Sequence, residues 1–118
     1  MIIREKRILI AEDEPQVRDS IYMLLTIDDH VVAQAENGAQ ALDMFTKGKF
    51  DLVITDFEMP VMKGNLLAAK IKQLAPKQPI LMITAYNEKI NPDNPVDMII
   101  TKPFTFDDLR DAIAKILA

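Results

Sequence analysis

Cysteine is absent from the 118 residues, which excludes disulfides, zinc–thiolate centres and cysteine nucleophiles. A single histidine, His30, would have to carry any Ser–His–Asp chemistry alone. At the start of a strand it reads as a surface or edge residue rather than a catalytic one. Long apolar runs are missing too. The longest, Ile21 to Leu25, falls far short of a membrane span. Residues 1–7 are charged and lack the apolar stretch of a signal peptide. A cytoplasmic chain without membrane contact is the expectation. Basic clusters are also lacking. With a net charge of -4 and a pI near 4.9, direct nucleic-acid binding is disfavoured, because attraction to phosphate backbones needs a concentrated positive patch.

What is present fits one ordinary domain. Hydrophobic residues make up 49% and charged residues 27%, which excludes intrinsic disorder as the main state. By surface scaling, a 13.3 kDa chain buries about two-thirds of its unfolded surface, enough for a core without staples. One domain over 1–118 is expected, with no linker or repeat.

Short apolar runs alternate with segments of helical period. Strands are expected at Arg7–Ala11, His30–Ala35, Asp51–Thr55, Pro79–Thr84 and Asp97–Thr101. The first helix runs from Pro15 to Ile27, with Val17, Ile21, Leu24 and Leu25 on one face and Pro15 in the first turn. Asn37-Gly38 opens a second helix that closes near Gly48, and Gly64 to Leu74 forms a third with Leu67, Ile71 and Leu74 inward. Thr105 caps the last, with Asp108 completing a capping box; Phe106, Leu109, Ile113, Ile116 and Leu117 face inward. Residues 85–97 contain Pro92 and Pro95, so at most about one helical turn is expected there, within Tyr86 to Asn91. Strands that are apolar throughout are covered on both faces, which implies a parallel α/β sheet.

Open parallel sheets act at the C-terminal ends of their strands. Glu12, Asp13 and Glu14 follow the first strand, Asp56 the third, Thr84 ends the fourth, and Lys102-Pro103 follows the fifth. Each alone has a plain explanation: solvated acids, a turn cap, strand filler, a loop. Together they place carboxylates, a hydroxyl and an amine on one edge. Clustered carboxylates remain ionised only beside a cation, and hard oxygen donors suit Mg²⁺. A carboxylate flanked by Mg²⁺, an ammonium and a hydroxyl suits phosphoryl transfer onto Asp.

These motifs resemble the receiver domains of bacterial two-component response regulators. The matching residues are Glu12-Asp13, the run Thr55-Asp56-Phe57-Glu58-Met59-Pro60 with Gly64 beyond it, Thr84-Ala85 and Lys102-Pro103-Phe104. The resemblance implies a flavodoxin-like, doubly wound five-stranded sheet in the order 2-1-3-4-5, here with a shortened or missing fourth helix. It implies that Asp56 accepts a phosphoryl group from a sensor histidine kinase, a phosphotransfer protein or acetyl phosphate. Asp13, Asp56 and the Glu58 carbonyl would bind Mg²⁺, with Glu12 acting through water. Thr84 and Lys102 would meet the phosphoryl oxygens, small Ala85 would leave room for them, and a cis Lys102–Pro103 bond is expected. Such a chain is a signalling domain that catalyses only its own phosphorylation and dephosphorylation.

The output would be a downstream protein or a fused domain, so the chain reads as a stand-alone receiver or one cut from a longer chain. Ile99 stands where the family usually carries Tyr or Phe, which points to an altered switch and to partner binding away from residues 86–98, near the first helix. Glu58 and Tyr86, each two residues past a site residue, are expected to set the phosphoryl lifetime. Three other readings compete. A haloacid-dehalogenase-type phosphatase would need Asp where Glu58 stands, and a flavodoxin-type flavin binder a Ser/Thr/Gly-rich loop where Glu12-Asp13-Glu14-Pro15 stands. The third is a degenerate receiver that binds partners without phosphorylation.

Overall fold

A computed structural model describes residues 2–85 and 95–118. In chain order the elements are β1 (Arg7–Ala11), α1 (Pro15–Ile27), β2 (Val31–Ala35), α2 (Gly38–Lys47), β3 (Leu52–Asp56), α3 (Gly64–Leu74), β4 (Ile80–Thr84), β5 (Met98–Thr101) and α4 (Phe106–Ile116). All strand pairings are parallel, in the order β2-β1-β3-β4-β5. Because β1 and β3 lie side by side, the strand order reverses between them, and in open parallel sheets ligands bind beyond the C-terminal strand ends at such a reversal.

Successive side chains in a strand point to opposite faces, so each strand feeds two cores. Ile8 and Ile10 of β1, Leu52 and Ile54 of β3, and Leu81 and Ile83 of β4 face α1 and α4, where Ile21, Leu24, Leu25, Leu109 and Ile113 cover them. Leu9, Ala11, Val53 and Ile80 face the other way, beneath Ala41 of α2 and Leu67, Ala68 and Ile71 of α3. Met59 packs into this second core under the loop after β3. The expected caps are present. Asn37 Oδ1 accepts from the Gln40 N–H at 2.8 Å, and Thr105 and Asp108 bond each other's backbone at 2.8 and 3.0 Å. The Lys102–Pro103 bond is cis.

Three sequence expectations require correction. Leu74 is 60% exposed and Phe106 43%; each is a terminal residue of its helix, where the chain leaves the sheet. His30 is buried, because the N-terminal segment lies against it and the Lys6 N–H donates to its Nδ1 at 3.0 Å. Four helices occur among the described residues. The expectation of a single turn within Tyr86 to Asn91, and the role assigned to Tyr86, lie outside the described residues.

Candidate functional site

Asp56 is the last residue of β3, between β1 and β4, so its side chain emerges at the centre of the C-terminal edge. Three local contacts hold it there. The Thr55 hydroxyl donates to the Asp56 carbonyl at 2.9 Å, the Phe57 N–H reaches the Ile83 carbonyl at 3.0 Å, and the Gly64 N–H closes the loop onto the Phe57 carbonyl at 2.9 Å. Gly64 is required because α3 starts directly against β3: a Cβ there would overlap the Asp56 carbonyl.

Carboxylate oxygens of Glu12, Asp13 and Asp56 all lie within 4.8 Å of one another. Glu12 and Asp56 are buried, and Asp13 is more open. Lys102 Nζ sits between the two buried acids, 3.2 Å from Asp56 Oδ2 and 3.4 Å from Glu12 Oε1. One ammonium therefore serves two buried carboxylates, with a third beside them. Burial raises the Glu12 pKa to about 7, assisted by the Asp56 charge, although the Glu14 N–H and Lys102 pull it down. Burial likewise raises Asp56, against the lowering effect of Lys102. For Lys102 burial acts downward, yet the Asp56 and Glu12 charges outweigh it and its pKa lies above the usual value.

Thr84 ends β4 at the same edge; it is buried, and its carbonyl accepts from the Lys102 N–H at 2.8 Å. That bond, next to the Thr84–Thr101 register pair, brings the start of the Lys102 loop over the end of β4. Ala85 follows Thr84 and is exposed. The Glu58 carboxylate lies outside the acid cluster and pairs with Lys63 at 3.7 Å, both being exposed. Ile99 is half-exposed on the edge strand.

One contact near the site has no counterpart in the sequence reading: Arg18 Nη1 of α1 donates to the Glu12 carbonyl at 2.9 Å. Its only sequence signal is a cation five residues past Asp13, which an exposed helix face would also show.

Three hard carboxylates converging in one small space suit an oxygen-seeking dication such as Mg²⁺, which takes its remaining ligands from water or phosphate oxygens. Such a site can neutralise clustered charge and present the Asp56 oxygen to an electrophile.

Known proteins resemble the chain over nearly its whole length. The family model for the response regulator receiver domain matches residues 8–114. Response regulator receiver protein CpdR of Brucella abortus is 35% identical, over 95% of this chain and 97% of its own. Sporulation initiation phosphotransferase F of Bacillus subtilis is 32% identical, over 95% and 94%. Among solved structures, response regulator TrrA of Thermotoga maritima in complex with Mg²⁺–BeF is 35% identical, with a TM-score of 0.89 over 95% of this chain and 99% of that one. A structure of histidine kinase ThkA in complex with TrrA also matches, with a TM-score of 0.86 over 96% and 99% of the chains at 35% identity. Transcriptional regulatory protein GlrR of Escherichia coli is 33% identical over 90% of this chain, a stretch that makes up 25% of GlrR.

Proposed function

The chain belongs to the response regulator receiver domains of two-component signalling, and on that footing we propose that it is phosphorylated on Asp56 in a Mg²⁺-dependent reaction. The observation that carries the reading is Asp56 at the sheet edge, within one acid cluster and 3.2 Å from Lys102. An Asp56 oxygen attacks the phosphorus of a phosphohistidine or of acetyl phosphate. The new P–O bond forms as the donor's P–N or P–O bond breaks, and the imidazole or acetate departs with the bonding pair. Asp13, Asp56 and the Glu58 carbonyl would hold the metal, with Glu12 acting through water. Mg²⁺, when bound, neutralises the carboxylates and the transferring oxygens.

The other residues have separable tasks. Lys102, on a long flexible stem, transfers its ammonium from the carboxylates to the phosphoryl oxygens. Thr84 donates its hydroxyl to the phosphoryl group, and Ala85 leaves space beside it. Glu58, tied to Lys63, sets how readily water reaches the phosphoryl group.

The donor is a sensor histidine kinase or a phosphotransfer protein. TrrA, seen with histidine kinase ThkA, supports that partner class. The output is a separate protein or a fused domain, as the partial coverage of GlrR illustrates. A cytoplasmic location fits such a role; among the described residues no helix is long and apolar enough to cross a membrane. Two buried carboxylates held against Lys102 favour this reading over a receiver that never takes a phosphoryl group.

Intact mass spectrometry after incubation with acetyl phosphate and Mg²⁺ tests the reading. One added phosphoryl group is expected, absent with EDTA and absent in Asp56→Asn. A mass shift that persists in Asp56→Asn rejects the assignment.

A further inference from the structure

Glu12 is gripped at four points. Its N–H donates to the Ala35 carbonyl at 3.1 Å, and Oε2 accepts from the Glu14 N–H at 3.1 Å. Oε1 faces Lys102 at 3.4 Å, and the backbone carbonyl accepts from Arg18 Nη1 at 2.9 Å. Arg18 makes the last of these contacts, from the second turn of α1. The register of β1 against β2 and β3 ends at Ala11, so the Glu12 carbonyl lies past the last register pair. The guanidinium takes the place of a strand neighbour there. The Arg18 backbone N–H donates to the Glu14 carbonyl at 2.9 Å, so the helix that follows the acidic loop also clamps the loop.

The Glu12 carbonyl and the Asp13 N–H belong to one rigid peptide plane. Rotation of that plane swings the Asp13 side chain, the most open of the three clustered acids and the one with least packing to hold it. Resting on the metal-binding reading above, we propose that Arg18 is a positioning residue for the cation site. By fixing the Glu12–Asp13 peptide, it holds the Asp13 carboxylate towards Asp56. It does so as a cation that engages a carbonyl, leaving the acid charge free for the metal. Lys102 does the opposite, because it contacts the carboxylates themselves and competes with a metal for them.

The two cations therefore have opposite signs in one measurement. Mg²⁺ is titrated by calorimetry into the whole chain at pH 8, without phosphodonor. Arg18→Ala should weaken Mg²⁺ binding by about tenfold, the low end for outer-shell partners of a metal. Arg18→Lys should recover most of the loss, since an ammonium can also reach a carbonyl, and Lys102→Ala should tighten binding. The unfolding temperature without Mg²⁺ checks that each variant is folded. Arg18→Met, which keeps the stem of the side chain, carries the same expectation if Arg18→Ala does not fold. Binding by Arg18→Ala within twofold of the unaltered chain, or tighter, overturns the proposal, since Arg18 would then act as structure or as bulk charge alone. Asp13→Asn separates the two readings. If it abolishes binding while Arg18→Ala does not, only the role of Arg18 fails. If the unaltered chain binds no Mg²⁺, the metal site and the role of Arg18 fail together.

Discussion

At the C-terminal edge of the sheet, two buried carboxylates share one ammonium; at the opposite edge, one buried carboxylate has a whole guanidinium to itself. Asp28, just past α1, accepts from Arg110 Nε and Nη2 of α4 at 2.9 and 3.0 Å. This two-pronged pair joins the end of one helix to the middle of another, beside buried His30. Its charge is balanced within the chain. The Glu12–Asp56–Lys102 set is not, and its surplus negative charge costs stability until a cation arrives. Buried charge at the lower edge thus serves the fold, and at the upper edge it serves a ligand.

The largest effect should come from breaking the balanced pair. Arg110→Ala leaves Asp28 buried without its counter-ion, and the unfolding temperature should fall by roughly ten degrees. Acetyl phosphate should still modify Asp56 in the cold. If modification were lost while the fold persisted, the two edges would not be separate.

The pH dependence of stability sharpens the comparison, because the two edges have opposite signs. Folding raises the Glu12 pKa from 4.5 to about 7, so the folded chain holds a proton that the unfolded chain releases. That contribution is fully present below about 4.5 and is lost as pH rises through about 7. Asp56 acts in the same direction. Burial lowers the His30 pKa below 6.5, despite Asp28 and Asp29 nearby, so its contribution is lost as pH falls below 6.5. Denaturant titrations across pH 5 to 8 should show Asp56→Asn reducing the loss on the alkaline side. His30→Gln should remove the loss on the acid side while keeping an acceptor for the Lys6 N–H. Added Mg²⁺ should reverse the alkaline slope, and a slope indifferent to Mg²⁺ would refute the account of the upper edge.

Lys102→Ala should cost less than Arg110→Ala. Near pH 6 Glu12 already holds a proton that it can share with Asp56 once the ammonium is gone, so about 1 kcal/mol or less is expected. A larger drop in unfolding temperature would make Lys102 a structural residue.

The smallest effect concerns Val61, in the loop after β3. It has φ 70°, is 80% exposed, and forms a γ-turn in which the Met62 N–H reaches the Pro60 carbonyl at 2.7 Å. Val61→Gly should stabilise the chain by about 0.5 kcal/mol in chemical denaturation, as relief of a left-handed valine slightly outweighs the entropy of glycine. A loss of stability there would mean that the valine side chain is packed rather than strained.

Most of the site was legible because strand ends in a parallel sheet all lie at one edge. Once Arg7–Ala11, Leu52–Asp56, Ile80–Thr84 and Met98–Thr101 are recognised as strands, the residues that follow them must meet, although Lys102 and Glu12 are 90 positions apart. Arg18, Arg110 and His30 gave no such signal. A cation on a helix reads as solvated, and a histidine at a strand edge reads as open, until the neighbouring element is known.

The division follows the range of the forces involved. Apolar period, chain direction and capping residues act within a few positions, so sequence by itself determined the α/β class, the helix bounds at Pro15–Ile27 and Gly64–Leu74, and the acids, hydroxyl and amine that gather at one edge. How each helix is rotated against the sheet depends on packing between distant segments. Tertiary structure alone therefore decided that Asp28 meets Arg110, that Arg18 clamps the Glu12 carbonyl, that His30 is covered, and that Phe106 and Leu74 are not.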